Sequence, residues 1–162
     1  MLKKTLEKLL KRLSNKQRYF IDSSILLEII LKQNAASNCR SFLNSTKAGN
    51  KICVVSNSVL GEVVCVLLFN EMGLSNSSII AAFEAIFELT KDFAFVTIDK
   101  ETIEIERKIR EKEGDWLQQM DLLNLASAIR HDSIAFVTLD PDFSEYTGKK
   151  FRIKIINPRE SK

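Results

Sequence analysis

Four acidic residues stand where an α/β fold would gather them at one edge of a sheet. They are Asp22, Glu62, Asp121 and Asp140. Asp22 follows the apolar run 19–21 and Asp140 follows the apolar run 134–139, whereas the other two acids fall on predicted helices. The carboxyl ends of parallel strands meet at one sheet edge, and ligands bind there. We therefore expect the four carboxylates to share one pocket.

Carboxylates in one pocket repel each other, by about 3 kcal/mol for a pair about 5 Å apart at an effective dielectric constant of about 20. Either proton uptake or a divalent cation must offset this repulsion. Carboxylate oxygens suit Mg²⁺ or Mn²⁺, and these ions also bind the phosphate groups of substrates. Such an ion can activate water for in-line attack on phosphorus. The four acids thus predict a metal site for phosphodiester hydrolysis.

Each acid also has a purely structural interpretation. An Asp after a strand is often only the N-cap of the next helix. Asp99, directly before a helix predicted to begin at Lys100, is expected to be such a cap. Asp140 is followed by a tight turn instead of a long helix. Glu62 lies in an apolar stretch, where a carboxylate needs a partner or a metal.

The composition is that of a soluble globular protein, with 45% hydrophobic and 28% charged residues in a chain of 162. No apolar run is long enough to span a bilayer and no secretory signal is evident, which predicts a cytoplasmic protein without membrane contact. The only histidine, His131, is expected at the surface near a helix end, which makes a histidine-based mechanism improbable. Three cysteines without a CxxC pair predict reduced core thiols: Cys39, Cys53 and Cys65.

The charge is unevenly distributed along the chain. Residues 1–18 carry seven basic side chains and one acid, whereas the rest carries 17 basic and 20 acidic residues. Leucines at helical spacing predict a basic amphipathic N-terminal helix over residues 1–17, before a domain over residues 18–162. Three roles stay open for this helix: packing its leucines on the body or on a second copy, contacting RNA through its lysines, or contacting a membrane.

Strands and helices alternate along the rest of the chain. The predicted strands are 18–21, 51–56, 93–98, 134–139 and 151–156. The predicted helices are 25–33, 39–45, 57–72, one beginning at 75–78, 100–112 and 119–131. This alternation predicts an α/β fold, a three-layer α/β/α sandwich with a central, mostly parallel sheet.

The order of these motifs resembles a PIN-domain nuclease. The matching pieces are a strand ending at Asp22, Ser56 with Glu62 six residues on, Asp121-x-x-Asn124-x-Ala126-x-Ala128, and Phe136-Val137-Thr138-Leu139-Asp140-x-Asp142-Phe143. The resemblance covers residues 18 to about 157, and in size the chain is most similar to the toxin ribonucleases of VapC-type toxin–antitoxin pairs. The N-terminal helix is an addition to that pattern.

The resemblance implies a metal-dependent endoribonuclease that hydrolyses RNA in the cytoplasm. Its catalytic and metal-binding acids would be Asp22, Glu62, Asp121 and Asp140, holding one or two Mg²⁺ or Mn²⁺ ions. Asp142 is the rival for the fourth place, and the hydroxyls of Ser23 and Thr138 would line the pocket. The resemblance also implies a homodimer and an antitoxin partner. Two alternatives stay open: a non-catalytic PIN-like module that binds a protein or RNA, and an RNA-processing nuclease outside toxin–antitoxin systems.

Overall fold

Five short strands form one sheet in which all neighbours run parallel. The strands are β1 (Gln17–Ile21), β2 (Lys51–Ser56), β3 (Ala94–Val96), β4 (Ser133–Val137) and β5 (Lys154–Ile156). Their order across the sheet is β3-β2-β1-β4-β5. In the central strand, Tyr19 lies opposite Cys53 on β2 and Ala135 on β4. Because β1 lies between β2 and β4, Asp22, the residue that follows β1, lies at the middle of the sheet's carboxyl edge.

The structure is a computed structural model that describes residues 16–69, 73–114, 117–145, 151 and 153–160. Residues 1–15, which hold nearly all of the predicted N-terminal helix, lie outside the described residues. Within the described ranges, no helix combines the length and apolarity needed to cross a membrane.

Among the described residues, six α-helices cover the sheet and complete the predicted three-layer α/β/α architecture. They are α1 (Ser23–Ile30), α2 (Ala36–Lys47), α3 (Asn57–Phe69), α4 (Asn76–Thr90), α5 (Lys100–Glu113) and α6 (Gln119–Arg130), and a 3₁₀ turn spans Pro141–Glu145. Helix α1 packs on α2, α3 and α4, whereas α5 packs on α6. Because helices cover both faces of a parallel sheet, the middle strands are apolar and buried where they cross its centre, at residues 19–21, 53–55 and 135–137.

The core continues from the sheet into the turn after β4. Phe20 on β1 stacks on Phe136 with ring centroids 5.5 Å apart, and Phe136 contacts Phe143 at 4.8 Å. All three rings are fully buried. Burial of Phe143 anchors the 3₁₀ turn that carries Asp142, and it holds the preceding Asp140 beside the end of β1.

Several element boundaries differ from the predictions. Strand β3 ends at Val96, not at residue 98, because its neighbour β2 ends at Ser56, where α3 begins at once. Strand β5 begins only at Lys154, helix α1 ends earlier at Ile30, and α2 is longer than predicted. The predicted core position of Cys65 is wrong: its side chain is exposed, whereas the other two cysteines are buried.

Candidate active site

Asp22 lies at the carboxyl end of the central strand and is only 4% exposed. It occupies the N-cap position of α1, yet its side chain makes no capping hydrogen bond. Instead, its Oδ2 accepts hydrogen bonds from the hydroxyls of Ser24, at 2.7 Å, and Thr138, at 2.8 Å. Burial raises the pKa of Asp22, and these two hydroxyls act in the opposite direction. A buried carboxylate is thus held by neutral donors.

Glu62 reaches the same region from α3. Its Oε2 accepts a hydrogen bond of 2.8 Å from the side-chain amide of Asn124, a fully buried residue of α6. Burial raises the pKa of Glu62, and repulsion by Asp22 raises it further, while hydrogen bonds from the side chains of Asn124 and Ser23 act in the opposite direction. The carboxylate that the sequence placed in an apolar stretch therefore has two partners, and neither carries a charge.

Asp121 experiences the charges of all the other candidate acids. It lies in the first turn of α6 and is partly buried. Its pKa is raised to about 6, first by burial and then by repulsion from four carboxylates, in decreasing order Asp22, Asp140, Glu62 and Asp142. No Lys or Arg in the described ranges lowers the pKa of Asp22, Glu62 or Asp121. The five acids thus form one negative region.

Asp140 and Asp142 belong to the turn that follows β4. The backbone N–H of Asp140 donates to the Thr138 hydroxyl at 3.0 Å, and the N–H of Asp142 donates to Asp140 Oδ1 at 2.8 Å. Thr138 therefore connects Asp22 to Asp140. Asp140 repels Asp121 more strongly than Asp142 does, which favours Asp140 as the fourth acid.

The donor set fits a hard divalent cation, since it consists of carboxylate, amide and hydroxyl oxygens without a neutralising base. Across the described residues, however, no three Asp, Glu, His or Cys side chains converge closely enough to enclose an ion as they stand. His131 lies apart from the acids, at the C-terminal end of α6, with its Nε2 3.3 Å from the Thr97 carbonyl oxygen.

From the sequence, Ser24 was expected only as a possible cap of the helix that follows Asp22, and Asn124 only as part of the motif that begins at Asp121. Both contact the acids directly. For Asn124 a signal exists: it follows Asp121 by three residues on a helix, so both side chains face the same direction. Ser24 lies two residues after Asp22, whereas the contact of Asn124 with Glu62 joins residues 62 positions apart.

Solved structures with the same fold are similar in three dimensions and distant in sequence. They include VapBC2 from Rickettsia felis bound to a promoter DNA fragment, with a TM-score of 0.68 and 16% identity over 87% of this chain and 98% of that one. FitAcB from Neisseria gonorrhoeae has a TM-score of 0.64 and 15% identity, over 88% and 99%. VapC20 from Mycobacterium tuberculosis, a toxin that cleaves the sarcin–ricin loop, has a TM-score of 0.60 and 18% identity, over 80% and 95%.

No curated protein is significantly similar to the chain in sequence. Residues 19–149, by contrast, match the PIN domain family, and this range contains all four acids that motif order had singled out. Together with the parallel five-stranded sheet, this match establishes that the chain belongs to the PIN domain family.

Proposed function

We propose that this protein is a metal-dependent endoribonuclease and the toxin of a toxin–antitoxin pair. The single observation that supports this most is the raised pKa of Asp121, about 6, caused by burial and by repulsion from four neighbouring carboxylates. Such a cluster without basic partners is stable in its charged form only beside a cation. A pocket of this kind suits the binding of Mg²⁺ or Mn²⁺ and of a substrate phosphate.

Asp22, Glu62, Asp121 and Asp140 would hold the ion, which when bound supplies charge neutralisation at the phosphate and activation of water. The protein's own contribution is orientation. Ser24 and Thr138 hold Oδ2 of Asp22, and Asn124 holds Oε2 of Glu62. Because all these donors are neutral, they orient the two carboxylates without cancelling their negative charge.

RNA is the proposed substrate, because VapC20 is described as a toxin that cleaves the sarcin–ricin loop. A protein antitoxin is the proposed partner, because VapBC2 is bound to promoter DNA as a complex of two proteins. We also propose that the chain forms a homodimer and acts in the cytoplasm, where its RNA substrate is found.

The test is cleavage of single-stranded RNA by the purified full chain with Mn²⁺ or Mg²⁺, with and without EDTA. We expect cleavage only with the metal, and about a 100- to 1,000-fold loss of kcat in D22N and D121N, as for other removals of a key electrostatic group. Circular dichroism would check that both variants fold. Full activity in both variants would contradict the catalytic assignment, and activity in EDTA would contradict the metal requirement.

A further inference from the structure

A chain of hydrogen bonds, wholly or partly buried, leads from β2 through α3 and α6 to Glu62. The backbone N–H of Val59 donates to Ser56 Oγ at 3.2 Å, and Ser56 Oγ lies 2.7 Å from Ser58 Oγ. Ser58 Oγ donates to Asn124 Oδ1 at 2.6 Å, and Asn124 Nδ2 donates to Glu62 Oε2 at 2.8 Å. Ser56 and Asn124 are both fully buried.

The carboxylate at the end of this chain of hydrogen bonds sets its direction. An ionised carboxylate only accepts, so the amide of Asn124 presents its nitrogen to Glu62 and its oxygen to Ser58. A serine hydroxyl has a single proton to donate, and the proton of Ser58 goes to Asn124. Ser56 therefore donates to Ser58 while it accepts from the N–H of Val59.

We infer that Asn124 is a positioning residue, supported from behind by Ser58 and Ser56, and that it engages Oε2 so that Glu62 serves the site through Oε1. This inference rests on the proposed function and deepens it, because it specifies which oxygen of Glu62 would meet the cation or its water. A glutamate side chain has several rotatable bonds, and anchoring one oxygen in a buried network removes most of that freedom before a ligand binds.

The side-chain amide that donates to Glu62 carries no charge. A Lys or Arg in place of Asn124 would also orient Glu62, but it would form an ion pair and compete with a cation for the carboxylate. Asp22 follows the same pattern, since its two side-chain donors are hydroxyls. The buried Asp22 and the half-buried Glu62 are thus oriented by groups that leave their charge to a ligand. Partners of this kind around metal ligands change metal affinity about 10- to 100-fold when removed.

The first experiment measures Mn²⁺ affinity of the full chain by calorimetry in N124A, N124L and S58A, none of which adds a charge to the pocket. The matched control is S127A, because Ser127 is a fully buried serine on the same helix whose hydroxyl has no hydrogen-bond partner among the described residues. We expect N124A and N124L to weaken Mn²⁺ binding about 10- to 100-fold, S58A to weaken it less, and S127A to leave it unchanged. In N124A and N124L, kcat for RNA cleavage should fall while KM stays the same. Unchanged Mn²⁺ affinity in folded N124A and N124L would overturn the inference.

The second experiment is a double-mutant cycle in urea without metal, which needs no activity. N124D places two carboxylates against each other and should lower the urea midpoint. In the E62Q background the introduced glutamine can donate to the introduced aspartate, so the same substitution should cost much less. Additive effects would show that the two side chains do not interact and would overturn the inference. If the cycle is coupled and Mn²⁺ affinity falls, but the wild-type chain cleaves no RNA, then the nuclease proposal fails while the positioning of Glu62 stands.

Discussion

At the scale of single residues, the pocket combines buried negative charge with neutral hydrogen-bond donors. Asp22 is held by Ser24 and Thr138, and Glu62 is held by Asn124. Hydrogen bonds to a charged carboxylate lower its pKa, yet for both acids burial has the larger effect and the pKa is raised. The metal-free pocket is therefore in an electrostatically unfavourable state near neutral pH.

This state predicts an unusual dependence of stability on pH. The pKa of Asp121 is raised to about 6 in the folded protein, from an ordinary value of 3.8. Its folded form therefore binds the proton more tightly, and its contribution to stability is complete below about pH 4 and is lost as the pH rises through about 6. Asp22 and Glu62 shift in the same direction. In EDTA, we expect the urea midpoint to be lower at pH 7.5 than at pH 5.

The D121N variant isolates this contribution. Its urea midpoint should fall less than that of the wild type between pH 5 and pH 7.5, because one titrating carboxylate is gone and the other acids lose a repulsive neighbour. Mn²⁺ should restore the midpoint of the wild type at pH 7.5 more than at pH 5. Equal pH dependence in the two proteins would mean that Asp121 is not under strain from its neighbours.

At the scale of elements, the same local sequence pattern leads to two different roles. Asp22 and Asp99 each follow a strand and precede a helix. Asp99 forms a capping box with Thr102 at the start of α5, as predicted, and it also pairs with Arg130 at 3.2 Å. In the chain, Asp22 lies between β1 and α1. In space it lies beside the end of the neighbouring strand β4, and Thr138, the residue that follows β4, is its partner. The position of the strand in the sheet decides which role an aspartate takes.

This difference makes Asp99 a matched control for the pocket. In D99A, α5 loses its cap and its ion pair with Arg130 of α6. In the wild type, hydrogen bonds from Thr102 are the main reason why the pKa of Asp99 is lowered, so the folded state favours this carboxylate in its charged form. We expect the melting temperature to fall by about 2–4 °C while RNA cleavage by folded protein stays at the wild-type rate. A loss of cleavage comparable with that of D22N would show that capping of α5, not the pocket alone, controls activity.

At the scale of the whole molecule, a basic N-terminal segment precedes a body with an acidic pocket. Residues 1–18 carry a net charge of +6, whereas the remaining residues carry −3. A polyanionic substrate whose flanks are held by basic side chains can still reach acidic residues that bind its phosphate through a cation. VapBC2 and FitAcB share this fold over nearly their whole length. The fold alone therefore does not reveal the role of the basic segment, which charge substitutions can test.

Replacement of Lys3, Lys4, Lys8 and Lys11 by Gln tests whether the segment contacts RNA. We expect a higher KM, an unchanged kcat, and a slope of log affinity against log salt that is smaller by up to about 3, because each lost phosphate contact accounts for about 0.7 on single strands. Circular dichroism would check folding. An unchanged salt slope would favour packing of this segment on the protein over contact with RNA.

Much of the fold could be read from the sequence because its strands contain short apolar runs and two of its helices, α4 and α5, begin at side-chain caps that the sequence shows. Strand β2 and the start of α4 after Ser75 were predicted closely, and Ser75 does accept a capping hydrogen bond from the Ser78 N–H. The end of β3 and the start of β5 differ from the predictions. Strand β3 extends only as far as its neighbour β2 offers hydrogen bonds, which the sequence of β3 alone does not reveal. The exposure of Cys65 likewise depends on how α3 packs, which its apolar sequence does not reveal.

For the site, the sequence alone determined which acids are candidates, because strand ends and an acid in an apolar helix are local features. Only the tertiary structure decided how those acids are held. The contacts from Thr138 to Asp22 and from Asn124 to Glu62 cross 116 and 62 positions of the chain. Such pairs form when β1 and β4 align and α3 meets α6. The hydrogen-bond direction that ends on Glu62 follows from counting protons along a path that exists only after folding.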